Sequence, residues 1–466
     1  MLFAIAARVA VKLHRPWRFV DRAARTLVAA VASGGAGALR FLSRGVPQAS
    51  PESAAAFRIV FGVLSLWFAL IHPAVDVAIR SVDVEATVGL QRAVGARLLG
   101  DPSLAAWIDR AVLVFGLLFV AGVLTRLTSL GYSVAYLVWA CVFTMNVSHH
   151  QVSALVASLL CLSGSRAGDA WSVDAWMRRG QNGPPVSASP NYGFVTWVPG
   201  FVLGVAFLAA AWSKVSEGPQ WILNGTVRYH FVTDLDAAMV KWGPALAASR
   251  PNAIAMSAAA VAIETAVIAA SFVRGVVTRL WLGALAAGLL TGFALFQGIV
   301  WPAWWMLLVS FLPWPLIRRS PVTGERPLRV PYRAVIVTVL LLQVVTSVRS
   351  LEVRPFLSAY DMYSATYASP QEYEEKGNLK YRVVVGGADG REFELPDCVL
   401  NETAVRRIAP IDSAQQLSRV LSDHECAAPG SVSSVTLLGD RRVFDFDTRQ
   451  FSWRRAVKTV GPIRVK

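Results

Sequence analysis

The sequence predicts an α-helical polytopic membrane protein of about nine spans with a small C-terminal α+β extracytoplasmic domain, and three observations predict it. Hydrophobic residues fill 55% of the 466 positions, charged residues only 16%, and the mean hydropathy is +0.47, a balance unlike that of a soluble domain. The apolar residues gather into runs long enough to cross a bilayer. The basic residues gather between those runs, and alternation places every dense basic cluster on one side.

In chain order, residues 1–50 read as a basic amphipathic cytoplasmic segment. Arg8, Lys12, Arg15, Arg18, Arg22, Arg25, Arg40 and Arg44 stand among apolar residues with Asp21 as the acid, a pattern suited to an anionic inner leaflet. No small-residue cleavage site follows a clean apolar core, so no signal peptide is read there. Residues 51–320 hold the main transmembrane domain, with runs at 54–74, 107–125, 128–148, 194–213, 253–273 and 278–297 and shorter ones at 151–164 and 303–317. Residues 321–350 contain a final span at 334–349, and 351–466 form the polar tail.

With the N-terminus in the cytoplasm, Arg126, Arg166, Arg178, Arg179, Arg274, Arg279 and the cluster from Arg318 to Arg333 all fall inside. The expected location is therefore a cell inner (plasma) membrane, multi-pass, with the tail outside. Net charge is +15, but its clustering between spans argues against nucleic acid and for the lipid bilayer as the surrounding partner. Cys398 and Cys426 then lie in a compartment where they can pair, whereas Cys141 and Cys161 sit in apolar runs. Such a disulfide would stabilise a small domain by roughly 3–4 kcal/mol.

The tail has strand-like stretches at 381–385 and 391–395 around a Gly-rich turn, a helical stretch at 412–422, and a second hairpin expected from 432–438 and 442–446 around Gly439 and Asp440. Soluble-enzyme motifs are missing: no phosphate-cradling loop, metalloprotease helix, Cys-x-x-Cys pair or nucleophile elbow occurs. Chemistry must then rest on polar residues at membrane depth, which are costly to place there.

Lys214 ends a long apolar run and is followed by a Trp- and Gly-punctuated segment carrying Arg228 and His230. Its ammonium either snorkels to the headgroups or sits in low dielectric, where a neutral amine can act as a base. His149 and His150 lie on the same outer face, as an interfacial cap or as proton carriers; their adjacency is not metal-ligand spacing, and no metal is expected. Glu264 lies inside its span, and Arg58, near the inner end of the first, is the expected partner in a structural ion pair, with a proton relay as the alternative. Trp301, Trp304, Trp305 and Trp314 read as an interfacial belt, while Trp212 with Phe293, Phe296 and Gln297 could line a pocket for a flat apolar ligand such as a quinone.

Several short stretches recur together in one known family. They are Ala56 to Gly62 (AFRIVFG), Gly122 to Arg126 (GVLTR), the histidine pair, Trp171 to Asp174 (WSVD), and Ser213 to Val215 (SKV) followed by Trp221 and Gly225. In this order they resemble the HTTM domain, the transmembrane unit shared with vitamin K-dependent gamma-carboxylase, over roughly residues 50–320. The resemblance implies an enzyme that uses a reduced quinone, of vitamin K or menaquinone type, to modify a peptide or secreted-protein substrate. It implies that Lys214 is the base that deprotonates the hydroquinone, with His150, or its neighbour His149, assisting. No histidine stands between Leu290 and Phe293, where the carboxylase has another, and the tail is shorter than the carboxylase's lumenal portion. The alternative is a non-catalytic maturation or assembly factor that holds a peptide with its tail domain.

Overall fold

The computed structural model describes residues 45–78, 90–95, 101–145, 150–178, 187–216, 218–233, 237–273, 275–317, 379–387, 391–400, 432–445 and 450–464, with isolated positions between them. The basic N-terminal segment, His149, and most of the 334–349 and 412–422 stretches lie outside the described residues.

Among the described residues six helices are long and apolar enough to cross a membrane, as expected of a membrane protein. They contain α1 (Pro51–Leu70), α2 (Pro102–Ala121), α3 (Thr125–Phe143), α6 (Pro190–Val215), α9 (Arg250–Val267) and α10 (Val276–Gln297). Between them lie α4 (His150–Leu162), α5 (Val173–Arg178), α7 (Gln220–Leu223) and α8 (Val227–Thr233), and α11 (Pro302–Leu308) follows α10. The two shorter apolar runs of the sequence correspond to the helical stretches Val152–Leu162 and Pro302–Phe311, which are shorter than a full span.

Three of the long helices, α1, α2 and α9, begin on the same chemistry. Ser50, Asp101 and Ser249 each accept a backbone N–H of the first turn, and a proline occupies one of the first helical positions, where its missing donor costs nothing. α2 ends at Gly122 with φ 72, a left-handed cap that frees the chain to turn into α3.

Burial sorts these helices into a centre and a periphery. In α6, 94% of the membrane-length window is buried, against 22% in α2 and in α10, so α6 is the hub and the others supply lipid-facing surface. α6 packs against α1, α4, α9 and α11. Its approach to α9 is close at Gly204, where a Cβ would stand 2.9 Å from the backbone of Ile268; glycine lets the two backbones meet. That contact brings the C-terminal end of α6 alongside the second half of α9.

The tail forms a four-stranded antiparallel sheet in the order β2-β1-β3-β4, from β1 (Leu379–Gly387), β2 (Glu392–Leu400), β3 (Val432–Asp445) and β4 (Gln450–Arg464). Alternate residues Tyr381, Val383 and Val385 face Val435 and Leu437 in a core of their own. Cys398 and Cys426 are bonded, as the sequence implied.

The expected hairpin at Gly439 and Asp440 does not form. β3 continues through both residues and pairs with β4 instead, with a break in register between Gly439 and Arg441. Gly439 leaves room for the Tyr381 ring, since a Cβ there would stand 2.9 Å from Cε1. Asp440 accepts two bonds from Arg382. Both turn residues are held by neighbouring strands, and tertiary contact overrides their local preference.

Candidate functional site

Lys214 occupies the last turn of α6, yet it does not extend toward the helix end. Helical side chains lean back toward the N-terminus. Nζ accordingly turns back along α6 and donates to the Ala210 carbonyl at 3.2 Å and to both oxygens of Glu264 at 2.8 and 2.9 Å. The Glu264 side chain leans back along antiparallel α9 by the same rule, so the two groups converge between the helices. Lys214 is 5% exposed and Glu264 2%. Snorkelling to the headgroups is therefore the wrong description of this lysine.

Three acceptors meet the three protons of the ammonium, and the Trp221 ring adds a cation–π contact with its centroid 5.5 Å from Nζ. Trp221 is carried by α7, and Gly225, in the left-handed region at φ 62, turns the chain from α7 into α8. α8 then lays the His230 ring on Trp221 with centroids 6.4 Å apart and planes at 29°. Lys214, Glu264, Trp221 and His230 thus form one buried constellation.

The expected pair of Arg58 with Glu264 is not made. Arg58 is buried near the start of α1, where Nη1 donates to the Ala167 carbonyl at 2.8 Å and Nη2 to the Trp171 carbonyl at 2.6 Å. Those carbonyls belong to the turn after α4, so the guanidinium ties α1 to the loop entering α5. Glu264 already has its cation from the neighbouring helix α9 touches, and charge pairing follows helix contact.

The other proposed pocket residues divide. Trp212 is 48% exposed: two positions from Lys214 is the opposite side of a helix, so it does not join the constellation. Phe296 packs on Phe231, the residue after His230, with centroids 5.3 Å apart, and Phe293 turns to Trp301 at 5.4 Å. Gln297, at the buried end of α10, and Thr226, in the turn into α8, each keep a side-chain oxygen inside with no hydrogen-bond partner among the described residues. Arg228 donates to the Tyr229 hydroxyl at 2.9 Å. His150 starts α4; its carbonyl accepts the Trp304 indole N–H at 2.9 Å and its Nδ1 meets the Ser358 hydroxyl. His150 is not among the polar partners of Lys214. Among the described residues no three His, Cys, Asp or Glu side chains gather as metal ligands.

A second constellation, which the sequence alone did not single out, lies at the turn between α2 and α3. Asp174 on α5 accepts from the backbone N–H of Leu124 and Thr125 and from the Thr125 hydroxyl, all at 2.7 Å. Burial pushes its pKa upward, but these donors and the Arg178 cation outweigh that and hold it below the ordinary carboxylate value. Asp169 accepts from Arg166, Arg178 and the Tyr192 hydroxyl. Between these groups opens a cleft of about 540 Å³. Its sequence signal was the pair of stretches GVLTR and WSVD, whose meeting only the fold reveals.

No family model, curated protein or solved structure matches the chain, so the functional argument rests on this geometry.

Proposed function

We propose that the protein is an integral membrane enzyme in which Lys214 is the base acting on a quinol-type lipid, as the HTTM resemblance implies, with Glu264 as its proton-transfer partner. The observation that carries this is the Lys214–Glu264 pair itself. Taking both charges out of water costs several kcal/mol per ion, and packed hydrophobic residues would often hold the same space at least as well. Ionisable residues within a membrane domain mark function by default.

The chemistry follows from the geometry. An ammonium accepts no proton, so Lys214 serves as a base only after passing one to Glu264, which lies within hydrogen-bond distance through both oxygens. The amine on Lys214 then takes a proton from a hydroxyl, and the carboxyl on Glu264 holds the first one. A quinol would supply that acidic hydroxyl and, once deprotonated, reducing power toward an oxidant such as oxygen. Trp221 and His230 are the aromatic groups beside the pair, and the side-chain oxygens of Thr226 and Gln297, without a hydrogen-bond partner among the described residues, suit the polar substituents of a ring.

The disulfide supports placing the sheet in an oxidising compartment, with the N-terminus in the cytoplasm and the remaining spans completing a multi-pass topology in the plasma membrane. The second reading, an assembly factor without catalysis, draws on the sheet. Among the described residues β4 pairs only with β3, and an extended peptide could add along it.

Lipid extraction of the purified protein separates the two. The enzyme retains a quinone in near-stoichiometric amount, and Trp221→Ala loses it; a preparation free of quinone that still captures an extended peptide on the sheet favours the assembly factor.

A further inference from the structure

The cleft at the α2–α3 turn has two chemically different ends. At its polar end, Arg126 is exposed and has no protein partner among the described residues, while Arg166 and Arg178 are half-exposed and ion-paired with Asp169. The two carboxylates are turned into bonds already described, so Asp174 caps α3 and Asp169 bridges two arginines and a tyrosine. Arg126, Arg166 and Arg178 against Asp169 and Asp174 leave the lining one positive charge in excess. Among the described residues the guanidinium nitrogens with no hydrogen bond are all three of Arg126 and Nη1 of Arg166.

The other end is apolar. Leu124, Leu127 and Met177 line the cleft at 64%, 63% and 69% exposure. From Leu127 the exposed residues Leu130 and Val134 continue at the spacing of one helix face, so an apolar track leads out of the cleft along α3 toward the middle of the span. A free phosphate would use the arginines and leave this track empty. A zwitterionic lipid would bring its own cation against Arg126. A ligand that satisfies both ends has an anionic phosphate and attached acyl chains.

We infer that this cleft binds an anionic phospholipid, with its phosphate on Arg126 and the open edge of Arg166 and an acyl chain along Leu127, Leu130 and Val134. The same basic cluster falls on the cytoplasmic side in the topology proposed above, where anionic lipids are enriched and basic pockets between helices bind their headgroups. The site stands apart from the Lys214 centre and does not depend on what that centre does.

The test uses the full chain in neutral detergent, with retention of dioleoyl phosphatidylglycerol, dioleoyl phosphatidylcholine and inorganic phosphate read by native mass spectrometry. Phosphatidylglycerol is retained about fivefold over phosphatidylcholine, and Arg126→Glu removes that preference. Arg126 makes no contact that folding needs, so the variant keeps its thermal midpoint in lipid-free detergent. Leu127→Ser weakens retention while leaving the arginines in place, and Arg250→Glu, at an exposed arginine in the first turn of α9, changes nothing. Equal retention of the two lipids, or full retention by Arg126→Glu, overturns the inference. Displacement of phosphatidylglycerol by millimolar inorganic phosphate also overturns it, because the site would then belong to a soluble phosphate compound.

Discussion

Lys214 and Glu264, fifty residues apart, meet between α6 and α9 with Nζ 2.8 and 2.9 Å from the two carboxylate oxygens. Each is the other's counter-charge in a place closed to water, so removing one strands the other. Lys214→Met alone and Glu264→Leu alone should each cost about 3–5 kcal/mol, whereas the double variant should return close to wild-type stability. Thermal unfolding in detergent measures this; a double variant as unstable as the sum of the singles would show that the residues do not act as a pair.

Arg58 belongs to a different network, bonded to the Ala167 and Trp171 carbonyls. Arg58→Met removes the donor from the buried Ala167 carbonyl and the part-buried Trp171 carbonyl and should cost about 2–4 kcal/mol. A cycle with Glu264→Gln should be additive to within about 0.5 kcal/mol, since the two sites share no partner. Coupling well above that value would restore the ion pair expected from sequence.

Asp174 makes stability depend on pH in a defined direction. Its folded pKa lies below the ordinary 3.8, so its bonds to Leu124 and Thr125 contribute fully above the unfolded value and are lost as pH falls through the folded one. Asp174→Asn should lower stability by about 1–3 kcal/mol at neutral pH, and the gap to wild type should close as acid protonates the wild-type carboxyl. Unfolding midpoints at neutral pH and near pH 3 check this; a constant gap would mean that the carboxylate charge is irrelevant.

The Cys398–Cys426 bond spans a sequence separation of 28, and losing it should destabilise the sheet by about 3–4 kcal/mol. Proteolysis of Cys398→Ser/Cys426→Ser should cut the tail first and spare the helices. Thiol labelling of the wild type should require reductant, and labelling of intact cells by an impermeant reagent tests the side on which the sheet lies.

The membrane helices were legible because length and apolarity settle a span without knowledge of its neighbours. Partner choice was not legible. Arg58 and Glu264 carry opposite charges in apolar runs, but the contact at Gly204 decides which helix α9 touches, and that contact hands Glu264 to Lys214. The same limit explains β3: Gly439 and Asp440 read as a turn until Tyr381 and Arg382 are set beside them. Lys214 itself stood out because a cation in an apolar run is costly wherever it points; that it points inward required the structure.

The Lys214→Met/Glu264→Leu double variant gives the most direct test of the proposed proton-transfer centre, because it should fold while lacking both ionisable groups. Measured as oxidation of a menaquinol-type substrate in lipid nanodiscs, wild type should turn over and the double variant should lose at least about a hundredfold, the scale of a general base. A folded double variant that oxidises quinol at the wild-type rate would contradict the assignment of Lys214 as the base.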